Sequence, residues 1–211
     1  MKQIARFIFA LAVLPALVFY WMLRLLLPKQ RAFSDLTQCL ALVPGIAGEY
    51  LRLAFFRRTL PYCGQNACIG FGTIFSHPAA QIGENVYVGP YCILGDVTLE
   101  KDVLLASGVS VANGTNQHFF ERTDIPIRLQ GGEFPRITIG EDSWIGERAV
   151  VLANVGRHCV IGAGALVLDS IPDYAIAVGV PAKIVKFRQN PTAETGSFTQ
   201  NHSPSAIHHQ S

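Results

Sequence analysis

The sequence predicts an all-β core, a three-sided parallel coil of short strands, preceded by N-terminal membrane and amphipathic helices. Three observations carry that expectation. Aliphatic residues recur every six positions between about residues 67 and 188, a glycine follows many of them, and an uncharged apolar run lies near the N-terminus. A chain of 211 residues that is 50% hydrophobic and 15% charged has material for one domain with appendages, and is too apolar to be wholly disordered. The net charge of +2, without a basic stripe interleaved with aromatics, argues against nucleic acid as a partner. Five cysteines and no CxxC pair argue against a disulfide framework or structural zinc, and fit a reducing compartment.

Residues 1–31 read as a membrane segment. Residues 7–23 are uncharged, Tyr20 and Trp21 sit near one end, and Arg24 interrupts before three more leucines. Seventeen residues lie at the short end of what spans a bilayer, about 17–25. A secretory signal peptide and a buried core helix are the competing readings; large leucines and Arg24 stand where a cleavage site would follow. The basic residues after the run outnumber Lys2 and Arg6 before it, which places the body on the cytoplasmic side of the inner membrane. Pro15 lies mid-segment and predicts a kink, so a re-entrant or in-plane helix stays open. Residues 32–66 form a helical connector, with a start near Asp35 and a break at Val43-Pro44-Gly45. Its second half, with Tyr50, Leu53, Phe55 and Phe56 beside Arg52, Arg57 and Arg58, reads equally as a helix packed on the main domain or a basic amphipathic helix on the membrane surface.

The repeat decides the core. Anchors fall at Ile82, Val88, Leu94, Leu99, Leu105 and Val111, and again at Ile139, Ile145, Val151, Val155, Ile161 and Val167, with Ile69 and Phe75 as a less regular opening turn. Four residues after an anchor stands a small or modest side chain: Val86, Cys92, Val103, Val109, Thr115, Ser143, Ala149, Cys159, Ala165. If each hexad supplies one strand and one corner, three hexads close a triangle whose interior the anchors fill. Glycines and Asn or Asp then serve tight corners in the left-handed backbone region. A sandwich would need turns about every 8–12 residues. A helix would lose about 1 kcal/mol at each interior glycine.

These hexads, with the ending AIAVGVPAKIVKFR over residues 175–188, resemble the hexapeptide-repeat acyltransferases, among them serine, maltose and galactoside O-acetyltransferases. The resemblance covers about residues 67–188. With the apolar N-terminus it suggests a membrane-anchored member that acts on polysaccharide. It implies a left-handed parallel β-helix, a homotrimer with sites between neighbouring subunits, acetyl-CoA as co-substrate and no metal.

The coil is interrupted by a loop, residues 116–136, long enough to be functional. His118 lies where it leaves the coil, the place at which the family carries its catalytic histidine. Acyl transfer to an alcohol needs a base for the hydroxyl proton, worth typically ~10²–10⁴-fold, and a donor for the oxyanion, which the sequence does not identify. A solvated loop histidine is the plain alternative. Asp96 occupies the position of an acidic acceptor-site residue, binding a sugar hydroxyl or orienting His118, with a simple corner aspartate as the other reading. Gly89 stands where the galactoside enzyme has a sugar-binding asparagine, so acceptor identity does not carry over.

On the donor side the resemblance assigns Gly146 and Ala163 to coenzyme A contact. Trp144 falls near the cleft or packs into the wall. Lys183 and Lys186 match basic positions near the nucleotide phosphates, with Arg188 assisting. Leu168-Asp169 replaces the usual Thr-Lys pair, an anion in place of a cation. His77 reads as a turn residue that could line the same cleft, and His158 as a structural corner residue. Residues 189–211, with His202, His208 and His209, read as a disordered tail.

The function expected is transfer of an acetyl group from acetyl-CoA to a hydroxyl of a lipid-linked or surface glycan sugar. A non-catalytic scaffold or membrane-bound interaction protein on the same coil is the alternative. A zinc carbonic anhydrase on this fold would need closely spaced paired histidines, which residues 67–188 lack.

Overall fold

A computed structural model describes residues 2–188; the tail expected over residues 189–211, with its three histidines, lies outside the described residues. The coil is parallel and three-sided. Its first side carries Tyr62–Cys63, Gln81–Ile82, Val97–Leu99 and Ile137–Ile139. The second carries Cys68–Ile69, Tyr87–Val88, Leu104–Leu105, Trp144–Ile145, Val160–Ile161 and Ala175–Val178, and the third Ile74–Phe75, Ile93–Leu94, Ser110–Val111, Val150–Val151 and Leu166–Val167. The coil therefore begins at Tyr62, five residues before the expected start, because Tyr62 and Cys63 pair in register with Gln81 and Ile82.

The anchors stack directly on one another. Ile69, Val88, Leu105, Ile145 and Ile161 form one column, and Phe75, Leu94, Val111, Val151 and Val167 another, all buried. The small positions line the interior between them. Where one is polar it is satisfied in place: Ser143 Oγ donates to Gly156 O (2.8 Å) and accepts from Cys159 N (2.9 Å), and Thr73 Oγ1 does the same with Gly89 O and Cys92 N. Thr115 departs from this set. It is exposed, because the chain leaves the coil just after Gly114.

The corners take the expected left-handed backbone and extend it to more residue types. The left-handed residue falls three positions after an anchor: Gly72, Gly108 and Gly164, Asn85 (φ 57°), Asp102 (φ 59°) and Asp142 (φ 53°), but also Tyr91, Arg148, His158 and Tyr174. The glycine directly after an anchor is not left-handed. At Gly146 a Cβ would lie 2.5 Å from the backbone nitrogen of Ala163 in the next coil, so this glycine permits close approach of successive turns.

Four helices close the first turn: α1 (Lys2–Ala12), α2 (Leu14–Leu26), α3 (Lys29–Ala41) and α4 (Gly45–Thr59). The expected break at Val43-Pro44-Gly45 is where α3 ends and α4 starts. However, α3 begins at Lys29, directly after Pro28, rather than at Asp35. Residues 1–31 do not form one long span. No single described helix is long and apolar enough to cross a membrane, and α1 and α2 meet at a 42° bend. The break sits at Val13; Pro15 falls in the first turn of α2, where its missing N–H is tolerated.

Helix α4 packs on the coil. Phe55 and Phe56 are fully buried, and Phe56 meets the coil anchor Phe75 with ring centroids 4.8 Å apart. Arg52, grouped above with the basic residues of a membrane-facing helix, is instead 1% exposed. Its guanidinium donates to Ile69 O (2.9 Å), Leu40 O (3.1 Å) and Val43 O (2.8 Å), tying α3, the α3–α4 link and the first coil together. Burial depresses its pKa; neighbouring Glu49 opposes that.

At the far end the last parallel strand, Ala175–Val178, turns through a cis Val180–Pro181 bond into Lys183–Phe187, which returns antiparallel with a register shift at Ile176/Ala177.

Candidate functional site

The loop leaves the third side after Ser110–Val111 and re-enters the first side at Ile137. It is built, not loose. Phe119 N donates to Gly131 O (3.0 Å) and Glu133 N to Asn116 O (2.8 Å), closing its neck, and Ile127–Leu129 form one 3₁₀ turn. Gln130 bridges the lobe through Arg122 and Ile125, and Arg122 pairs with Asp124. His118 stands in this neck, exposed, with its ring edge-on to Phe134 at 6.1 Å.

Successive turns stack their connections at the same corner, between the third and first sides. His77, Asp96, the loop neck, Asn154 and Ser170 therefore share one edge of the molecule. Asp96 is held there by Arg136, the last loop residue, whose Nε donates to Oδ1 (2.9 Å) and Nη2 to Oδ2 (3.4 Å) while also reaching Ala79 O (3.0 Å). His77 Nδ1 lies 3.8 Å from the same carboxylate. Asn113 fixes the backbone of Asp96 from both directions and accepts Pro135 into the arrangement through its amide, which donates to Pro135 O (2.9 Å). The structure thus corrects one reading: within the chain Asp96 engages Arg136 and not His118. Sequence reasoning missed Arg136 and Asn113. Their partners are 40 and 17 residues away, and neither stands at a repeat position that marks it. A cleft of about 260 Å³ opens under the neck, lined by Asn116, Glu133, Arg136 and Asn154 among others.

The donor residues lie elsewhere. Gly146 and Ala163 touch across successive turns at the corner between the second and third sides. Trp144 projects outward from the second side and is half exposed, so it does not pack into the coil interior. It lies in one row with Val160, Ile176 and Lys186. Lys183 and Lys186 are exposed on the returning strand, and neither forms an ion pair among the described residues.

Arg188 departs from its expected role. Its Nη1 bonds His158 O (3.1 Å), Asp142 O (3.3 Å) and the Asp142 carboxylate (3.3 Å), strapping the corner between the first and second sides. His158 is structural: its Nδ1 donates to Asp142 (3.0 Å), and its ring stacks on Tyr174 at 4.9 Å. The His158 hydrogen bond, aided by Arg188, holds the Asp142 carboxyl below the usual range.

Among the described residues no group of three or more His, Cys, Asp or Glu is arranged to hold a metal ion. All five cysteines are free. Burial pushes the Cys63 thiol up to about 12 and Cys68 up to about 11.

Comparison with known proteins fits this geometry. Residues 136–169 match the family model described as bacterial transferase hexapeptide (six repeats). A probable acetyltransferase of Mycobacterium tuberculosis is 37% identical over 123 residues, 56% of this chain and 40% of that protein. An Escherichia coli protein provisionally named a lipopolysaccharide biosynthesis O-acetyl transferase is 33% identical over 125 residues, 56% of this chain and 62% of its own length. The chain thus spans about half the length of these relatives. The solved structure of galactoside acetyltransferase in complex with coenzyme A superposes with a TM-score of 0.66 at 24% identity, over 84% of this chain and 90% of that one, which establishes the shared coil.

Proposed function

We propose that the protein is an acyl-CoA-dependent O-acyltransferase that moves an acetyl group from acetyl-CoA to a hydroxyl of a sugar in a lipid-linked or surface glycan, with His118 as general base. The observation that carries this reading is the braced loop that lifts His118 out of the coil at the corner where Asp96 and Arg136 meet. The imidazole takes the hydroxyl proton as the oxygen attacks the thioester carbonyl; the C–S bond then breaks and the imidazolium returns the proton to the departing sulfur, so that coenzyme A leaves as the thiol. Similarity to proteins named as acetyltransferases supports the acetyl group, and the coenzyme A complex of a structural neighbour supports the donor.

The glycan acceptor rests on the lipopolysaccharide-related relative. The loop corner and the Gly146–Ala163 corner are separate in one chain. We therefore place each site at the boundary of a homotrimer of left-handed coils, His118 of one subunit facing Trp144, Gly146 and Ala163 of the next, with Lys183 and Lys186 toward the nucleotide phosphates. Exposed Phe120, Leu129 and Phe134 on the loop support such a contact. We also propose the cytoplasmic face of the inner membrane as its location, because the N-terminus is apolar and more basic residues follow the apolar run than precede it.

Replacing His118 with Ala is expected to lower acetyl transfer to a sugar acceptor by about 10²–10⁴-fold while coenzyme A binding by calorimetry is retained. Full transfer by the variant would refute the assignment. Absence of coenzyme A binding by the unaltered protein would favour a scaffold.

A further inference from the structure

The N-terminal helices have two apolar faces, and only one is used. On the inner face Phe9 stacks on Tyr50 at 5.3 Å, Tyr20 meets Phe55 at 5.7 Å, and Arg6 donates to Asn66 (2.7 Å), holding α1 and α2 flat against α4 and the first coil. The outer face presents Phe7, Ile8 and Leu11 of α1 and Val18, Phe19 and Met22 of α2, each more than half exposed. A contiguous uncharged patch of this kind is uncommon on a water-exposed surface.

We propose that this outer face docks in the plane of an anionic lipid surface, so that the chain lies on one leaflet and does not cross it. This deepens the membrane location proposed above and rests on it. Packing opposes a crossing. As a bent pair α1 and α2 have the length and composition of a broken span, about 36 Å of helix against a ~30 Å hydrocarbon core. Surrounding that pair with lipid, however, would strip Phe9, Tyr20 and Arg6 from Tyr50, Phe55 and Asn66.

Charge selects the lipid. Residues 1–34 hold five basic residues and no acidic one. At the C-terminal end of α2 the Arg24 guanidinium sits 4.7 Å from the exposed Trp21 ring, an amphipathic pair suited to headgroup depth. A helix with an apolar face toward the acyl boundary and cations at its margin binds such an interface by area and charge together.

The full-length protein, carrying an N-terminal epitope tag, is added to preformed sealed vesicles of phosphatidylglycerol and phosphatidylethanolamine, and in parallel to phosphatidylcholine alone. Flotation with the anionic vesicles, weaker with phosphatidylcholine, and complete digestion of the tag by external protease are the expected results. Flotation with a protected tag means a spanning helix: the in-plane arrangement falls while the membrane location stands. Failure to float, including as a soluble oligomer closed through this face, overturns both. Because Phe7 and Phe19 are exposed, Phe7→Glu with Phe19→Glu should leave the thermal melt unchanged and reduce vesicle partitioning by at least about tenfold. Unchanged partitioning by that folded variant overturns the assignment of the face.

Discussion

The coil and the helical cap that closes it bury comparable side chains by different rules. In the coil an address is a number: Ile145 stacks on Leu105 and Ile161 because each follows its corner by the same count. In the cap, Arg52 and Phe56 are placed by partners that no period connects to them, the carbonyls of Leu40, Val43 and Ile69 and the ring of Phe75. A repeat distributes stability over many equivalent small contacts. A cap concentrates it in a few large ones.

The sharpest test of that contrast is Phe56→Ala, which removes a fully buried ring from the joint between cap and coil and should cost about 3–5 kcal/mol by urea denaturation. Arg52→Met keeps the volume and removes the donors to three carbonyls. A loss of about 2–3 kcal/mol is expected, and a neutral result would mean water replaces the guanidinium. Within the coil, Gly146→Ala should cost about 1–3 kcal/mol, since the added methyl meets backbone and not a movable side chain; a neutral result would show that successive turns can spread.

The smallest effect is at the exposed strap. With its folded pKa depressed, Asp142 contributes stability that is present above the unfolded value near 4 and lost as pH falls through the folded one. Screening at this half-exposed site limits Asp142→Asn to about 0.5 kcal/mol at pH 7, and the variant should lose that part of the acid slope.

The same contrast explains what the sequence made readable. The columns of anchors, the small interior positions other than Thr115 and the exit point of His118 follow from counting, and the structure places them as counted. The start at Tyr62 was hidden because the first turn lacks its full hexads. The left-handed corners at Tyr91, Arg148 and Tyr174 were hidden because only Gly, Asn and Asp advertise that backbone. The sequence left Arg52 open between a packed and a wet face because its neighbours include two further arginines, whereas the carbonyl partners that bury it lie up to 17 residues away. At the candidate site, His118 was marked by the loop that interrupts the repeat. The Arg136–Asp96 clamp had no such marker, since an ion pair across 40 residues leaves no trace in composition.

Stacked parallel strands carry an inherent hazard of growth. Any open rung invites another chain to add itself, and the product is a fibre. Here the bottom rung lies beneath helices fastened by Arg52, and the top rung is turned back on itself by the reversed strand Lys183–Phe187, which carries two exposed lysines. Lys183 and Lys186 thus have a second consequence: charged side chains on a terminal strand disfavour the addition of a further strand there.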